Sequence, residues 1–324
     1  MFQTRKYVNL LPPEPKYSDA CEIIDSDDNE FWQVALKHIT QRHKLPFPGW
    51  KRINKGGNVL FRQDELVIKL IPPNWVHQGH AEIESLRNLP NQLGLEIPRL
   101  IADGTLDNWV YVVMTWLQGD SLGDLWPQLD YPSKKILVQR TGEFCRTLHK
   151  YPVNEQSSLN VDWQQYQESL LSNCIARHRR VNLPERLIDQ ILPFLNNAND
   201  YFDDNSTMLI HMDLHPWNLM VEPTKQGYRL SGVLDFGDAI IGRSKLLELA
   251  TPIIFLCQGD ARLVNALLDS YQLLDPMKPN EFQRKLMAVV LLRPDCDLNF
   301  VLKQVPVTGP RTTWEEISEQ LFPI

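Results

Sequence analysis

Residues 210–221 read IHMDLHPWNLMV, with four polar side chains, His211, Asp213, His215 and Asn218, set between two apolar runs. Three uses fit such a cluster: a metal-ligand set, a catalytic loop, or a polar turn joining two strands. Imidazole with carboxylate suits a first-row metal, but sites of that type draw further ligands, usually histidine, from later in the chain. His215 is the last histidine of this sequence, and the acids beyond it suit a hard cation better than zinc. A catalytic loop accounts for more of the residues. Phosphoryl transfer from ATP needs a carboxylate to orient the acceptor hydroxyl and receive its proton. It also needs oxygen ligands for Mg²⁺, and a lysine on the phosphates fixed by a glutamate. Asp213 supplies the carboxylate, and Asn218, five residues on, a metal ligand. The run VLDFGD then puts Asp235 at the end of a strand, suited to bridge Mg²⁺ to the phosphates, with a hairpin of strands returning it beside Asn218.

The phosphate-handling parts are expected upstream. In LVIKL, Lys69 faces opposite to Ile68 and Leu70 on a strand. Thirteen residues later Glu82 lies in the first turn of an expected helix, and its partner role is favoured over Glu84 because Ile83 and Leu86 fix the buried face. NKGGN joins two strands ahead of the lysine strand; Gly56, Gly57 and Asn58 there let backbone amides approach a phosphate. Each part has a plainer alternative: an exposed strand lysine, an acid on a helix dipole, a hairpin turn.

The 324 residues suit one large domain or two coupled lobes. A net charge of −7 argues against a broad nucleic-acid footprint and is compatible with a cationic small substrate. No apolar run is long enough to span a bilayer, and the start lacks a signal-peptide stretch. Five scattered cysteines without a CxxC pair fit a reduced, cytoplasmic protein.

Strand-like runs WKRIN, NVLFR and LVIKLI, a helix in HAEIESLRNLPNQL, and strands in PRLIADG and WVYVVMT fill the first third. SDACEIIDSDDNE, with six acids and no base, reads as a solvated lead-in to a helix capped by Asp28 or Asn29. After residue 119 the texture is mostly helical, including one helix expected over PERLIDQILPFLNNANDYF, and the last helix starts at a capping box, Thr313 to Glu316. RHRR, Arg177 to Arg180, ends a helix, where bases complement the dipole.

HMDLHPWN and LDFGDA resemble the catalytic loop and metal segment of the aminoglycoside phosphotransferase and choline kinase family, and WVYVVMTWLQGDSL its last small-lobe strand, hinge and glycine turn. GGNVLFRQDELVIKLIPPNW and GDAIIGRSKLLELATPIIFLCQGD are most similar to its hygromycin-phosphotransferase-like branch. The resemblance runs from about Trp50 to Gly259. It implies an α+β, bilobal, protein-kinase-like fold, a small antiparallel-sheet lobe plus a larger, mainly helical lobe. Residues 1–114 would form the nucleotide-binding lobe, 115–119 the hinge, and 120–324 the helical lobe, with a substrate-roofing insert near 160–204. It further implies that backbone groups of Thr115 and Leu117 bond the adenine, and that His211 organises the loop rather than acting as a base.

The family's glycines before the aspartate and the asparagine are Met212 and Trp217 here, and Trp217 either lines the acceptor pocket or packs as core. GRSKLLE departs from the usual G-D-P-x-x-D, Glu248 keeping an acid near its end. The expected function is an ATP- and Mg²⁺-dependent small-molecule kinase, a phosphotransferase with an alcohol group as acceptor. The acceptor would be aminoglycoside-like or another natural product, which points to antibiotic resistance. A kinase of a primary metabolite (an amino alcohol, sugar or amino acid) and a nucleotide-binding pseudoenzyme are the alternatives. A cationic acceptor would meet Asp238, Glu248 and Glu168 at the pocket mouth. Nucleic acid and membrane are not expected partners, and the protein would be a monomer or homodimer.

Overall fold

The computed structural model describes residues 10–26, 29–53, 57–89, 91–196, 206–225, 227–273, 278–294 and 296–324. The chain divides into two compact units, Met1–Pro90 with Ile97–Leu117, and Asn91–Glu96 with Gln118–Ile324. The second division falls inside the stretch 115–119 expected as a hinge. Residues 91–96 join the larger unit because the Glu96 amide bonds the Ser231 carbonyl at 2.9 Å and the Val233 amide bonds the Glu96 carbonyl at 2.9 Å.

The smaller unit holds helices α1 (Tyr17–Asp25), α2 (Asn29–His43) and α3 (Val76–Asn88) and strands β1 (Lys51–Arg52), β2 (Val59–Gln63), β3 (Leu66–Ile71), β4 (Leu100–Leu106) and β5 (Trp109–Thr115). The strands form one antiparallel sheet, ordered β1-β2-β3-β5-β4. Strand alternation decides what each face carries. Ile68 and Leu70 join a core with Ile24 of α1 and Trp32, Leu36 and Ile39 of α2. Lys69 is left on the other face, where α3 packs. The acidic segment is therefore no mere lead-in. Ala20 and Ile24 are buried, which orders residues 17–25 as a helix of their own; a cap at Asp28 lies outside the described residues.

The larger unit continues with β6 (Asp120–Ser121), α4 (Leu122–Leu125), α5 (Tyr131–His149), α6 (Trp163–Arg180), α7 (Glu185–Ile188), α8 (Ile191–Phe194), β7 (Met208–Ile210), β8 (Leu219–Thr224), β9 (Gly227–Val233) and β10 (Ile240–Gly242). It closes with α9 (Lys245–Pro252), α10 (Ala261–Tyr271), α11 (Pro279–Leu292), α12 (Leu298–Gln304) and α13 (Trp314–Leu321). Side-chain caps start α5 at Asp130 and α6 at Asp162, and the expected capping box starts α13. The single helix expected over 184–202 is broken. Pro193 has no amide for the Asp189 carbonyl and its ring crowds that group, so α7 stops before it and α8 starts anew. Two small antiparallel sheets, β6-β8-β9 and β10-β7, hold the polar cluster of residues 211–218 between their ends.

Candidate active site

In the smaller unit Lys69 Nζ lies 2.5 Å from Glu82 Oε2, both side chains nearly inaccessible. The close approach of α3 to the sheet makes this contact. A Cβ at Gly79 would stand 2.6 Å from Val110 Cγ1, so only glycine lets the helix sit there. Glu82 follows one turn later and faces the sheet. Glu84 lies on a more exposed part of the helix. Gly56 is outside the described residues. Gly57 takes a left-handed φ of +52° with open space where a Cβ would be, and Asn58 Oδ1 is buried without a hydrogen-bond donor. The Thr115 amide is committed to the Arg99 carbonyl at 3.0 Å, so it has no hydrogen to spare for a ligand. Leu117 ends this unit.

In the larger unit β7 delivers His211 into the core. Its amide donates to Glu248 Oε2 at 2.6 Å. Its ring bonds the Leu234 carbonyl through Nε2 at 2.9 Å and accepts the Asp213 amide through Nδ1 at 3.2 Å. Those two partners require the neutral tautomer with its proton on Nε2. Burial pushes the imidazole pKa down in the same sense, against the pull of Asp213 and Asp235. With both nitrogens engaged, His211 has none left for a metal, and no three His, Cys, Asp or Glu side chains group as a metal site among the described residues. The histidine serves the loop.

Met212 follows with φ +71°, buried, in the left-handed conformation that glycine adopts without strain. That turn brings Asp213 out of the core. Its Oδ1 accepts from Arg293 Nη2 at 2.8 Å, and its Oδ2 lies 3.2 Å from Asn218 Nδ2 and 3.3 Å from His215 Nε2. Burial alone would raise this carboxyl. The His215 hydrogen bond and the Arg293 charge outweigh it and hold the group well below the usual carboxylate range. Asp213 is thus ionised at any ordinary pH.

Asn218 spends its amide hydrogens on the Asp213 carboxylate and on the Asp213 carbonyl, the latter at 2.9 Å. Its Oδ1 is the acceptor that remains. The Asn218 carbonyl takes the Leu234 amide at 2.9 Å, and Leu219 pairs with Val233 across the β8–β9 hairpin. Asp235 therefore leaves the hairpin beside Asn218, two residues past the end of β9 and in a left-handed turn of φ +61°. An amide oxygen and a carboxylate are the hard donors that Mg²⁺ takes, with water and phosphate filling the rest of its shell. Asn218, oriented by Asp213, and Asp235 fit that group.

Trp217 is a surface ring, 41% exposed. It packs over Gly123, where a Cβ would fall 2.4 Å from its Cδ1. Its ring meets His215 at 5.5 Å, Phe255 at 6.2 Å and Phe300 at 6.4 Å between centroids, and Phe300 is 47% exposed. Phe255 comes from a π-helical turn, Ile253–Cys257, that follows Pro252. Glu248 is different. It is fully buried beneath the loop and cannot meet an acceptor, a correction to its expected place at the pocket mouth. Asp238 is half-buried, and its charge adds to that of Asp213 in holding the Arg293 guanidinium's pKa up against burial; Glu168 is exposed on α6.

Sequence reading missed Arg293, Thr251, Phe255 and Phe300. A faint signal for the first exists: Arg293 ends the apolar run MAVVLL immediately before a proline.

The profile of the phosphotransferase enzyme family matches residues 50–276, most of the chain. The chain belongs to this family. Its relatives include an aminoglycoside 3'-phosphotransferase of Streptomyces fradiae, 25% identical over 224 residues that cover 61% of this chain and 77% of the relative. A namesake from Streptomyces ribosidificus matches to the same extent. The fold of this family member is that of aminoglycoside 2'-phosphotransferase-IIIa in its GDP complex, with TM-score 0.67 and 18% identity over 89% of this chain and 98% of that one. The streptomycin–ATP ternary complex of APH(2'')-IIa gives a TM-score of 0.58 at 18% identity, again over 89% and 98%. The family and the kinase-like α+β fold are those expected from the sequence. The finer placement in a hygromycin-like branch is not carried by these relatives. Arg293 and Phe300 lie beyond the matched segment. No helix among the described residues is long and apolar enough to cross a membrane.

Proposed function

We propose that this phosphotransferase moves the γ-phosphate of ATP to a hydroxyl of an aminoglycoside-like natural product. Asp213 orients the acceptor hydroxyl and takes its proton; the hydroxyl oxygen forms the new bond to phosphorus as the bond to the ADP oxygen breaks. A carboxylate held so far below its usual range is a weak base. Its contribution is mainly orientation, which suits a loose transition state in which the proton leaves late. Asn218 and Asp235 would hold Mg²⁺, which neutralises charge on the phosphates. Lys69, fixed by Glu82, supplies an ammonium to the α/β-phosphates, with Gly56, Gly57 and Asn58 as the phosphate-approaching turn and the backbone of Thr115 and Leu117 for adenine.

The observation that carries this reading is the bonding of Asn218 to Asp213, which ties a metal ligand to the acceptor carboxylate within one loop. The relatives' names support the acceptor class. The reading places the enzyme in the cytoplasm, as a monomer or homodimer. A coupled ADP-release assay tests it, with kanamycin, streptomycin and gentamicin run beside neutral polyols at low and high salt. Turnover with an aminoglycoside that weakens as salt rises is expected; best turnover with a neutral polyol, independent of salt, would discard the cationic acceptor.

A further inference from the structure

The Asp213 carboxylate is gripped by a residue from outside the family-matched segment. Arg293 caps the carboxyl end of α11, and its guanidinium bridges two partners, Asp213 Oδ1 at 2.8 Å through Nη2 and Thr251 Oγ1 through Nη1. Thr251 in turn lies 3.4 Å from the Met212 carbonyl as a donor, so the fork holds both the carboxylate and the backbone turn in front of it. The end of α11 is itself held. Three side chains of α6 bond its last carbonyls: Cys174 Sγ to Leu291 at 3.2 Å, His178 Nε2 to Leu291 at 2.8 Å, and Arg177 Nη2 to Leu292 at 2.7 Å. Those carbonyls have no partner within their own helix.

A planar guanidinium makes such a bridge at fixed geometry; an ammonium on a flexible stem does not. With Oδ1 occupied by Arg293, the carboxylate cannot rotate freely, and the acceptor hydroxyl would meet Oδ2 alongside the Asn218 amide and the His215 ring.

We propose that Arg293 is a positioning residue for phosphoryl transfer: it fixes the rotation of the Asp213 carboxylate, and α6 acts through it. This rests on the phosphotransferase reading above. Misplacing a catalytic group by about 1 Å costs on the order of 10²-fold in rate.

The test measures ATP turnover of the full chain with kanamycin and with water as acceptors. Arg293→Ala is expected to lower kcat about 10- to 100-fold while KM for ATP stays within about twofold. Methylguanidinium in the buffer should restore part of the loss, and Arg293→Lys should recover less than the added guanidinium does. Thermal melting identifies an Arg293→Ala protein that has failed to fold, in which case Arg293→Lys and Arg293→Gln carry the comparison. A kcat equal to wild type in a folded Arg293 variant overturns the proposal, as does a loss confined to stability that guanidinium does not reverse. Absence of ATP turnover in the wild type overturns the phosphotransferase reading itself, a distinct result.

Discussion

Glu248 Oε2 accepts the His211 amide at 2.6 Å, so an acid sits sealed beneath the turn that carries Asp213. Burial pushes its carboxyl up from an ordinary 4.5 to about 7, against the opposing pull of the His211 amide and the Arg293 charge. Folding therefore takes up a proton between those two values. The stability this group confers is full below about pH 4.5 and is lost as pH rises through about 7. Glu248→Gln, which resembles the protonated form, should gain on the wild type as pH rises, by on the order of 3 kcal/mol at most. Urea melts of both proteins at pH 5 and pH 8 measure it. A difference that does not change with pH would mean that Glu248 is ionised in the folded protein throughout.

The buried Lys69–Glu82 pair makes a different prediction. Removing one partner takes from the other its counter-charge at 2.5 Å, so Lys69→Met or Glu82→Leu alone should cost about 3–5 kcal/mol of stability. The double variant should recover most of that loss, because two apolar side chains fill the space without a charge. Nucleotide affinity should stay low in all three. A double variant less stable than either single one would show that the pair is not what those substitutions disrupt.

Asp213→Asn should keep affinity for Mg·ATP and lose about 10²–10⁴-fold in phosphoryl transfer. Nucleotide titration beside the ADP-release assay separates the two quantities. Near-normal transfer would remove Asp213 from the reaction.

Asp235→Ala and Asn218→Ala should both weaken nucleotide binding in Mg²⁺ and change it little in EDTA. Asp235→Ala should be the worse, since it loses a charge as well as an oxygen. Wild-type binding that ignores Mg²⁺ would contradict the assignment of both.

The two exposed rings, Trp217 and Phe300, lie one beside the other at the loop that carries Asp213. Phe300→Ala should raise the acceptor KM about 2- to 10-fold, the worth of one aromatic contact, and Phe300→Trp should keep it low. An unchanged KM for the best acceptor in Phe300→Ala would leave these rings as packing only.

Much of this was legible in the chain because it depends on local order. Alternation along LVIKL puts Lys69 on the face opposite Ile68 and Leu70, and helical period turns Glu82 toward it. The spacing from Asp213 to Asn218 fits one short loop. What stayed hidden depends on contacts distant in sequence. Glu248 looks like any surface acid until α9 is seen to bury it under β7, and Arg293 lies 80 residues from the carboxylate it grips. Pro193 could have warned against a single helix over 184–202. The buried side of α1 was masked by the six acids around it.

The ties from Cys174, Arg177 and His178 to the last carbonyls of α11 have a kinetic meaning. Local opening of α6 would strip α11 of its end caps and free the guanidinium that it presents, so both events belong to one cooperative fluctuation. Amide protons near Leu292 and those of the His211–Asp213 turn should then exchange with solvent at matching rates, faster than those of α5. The lifetime of the ordered loop would be set by the breathing of a helix that reaches it through the end of α11 as intermediary: α6, bonded to the Leu291 and Leu292 carbonyls.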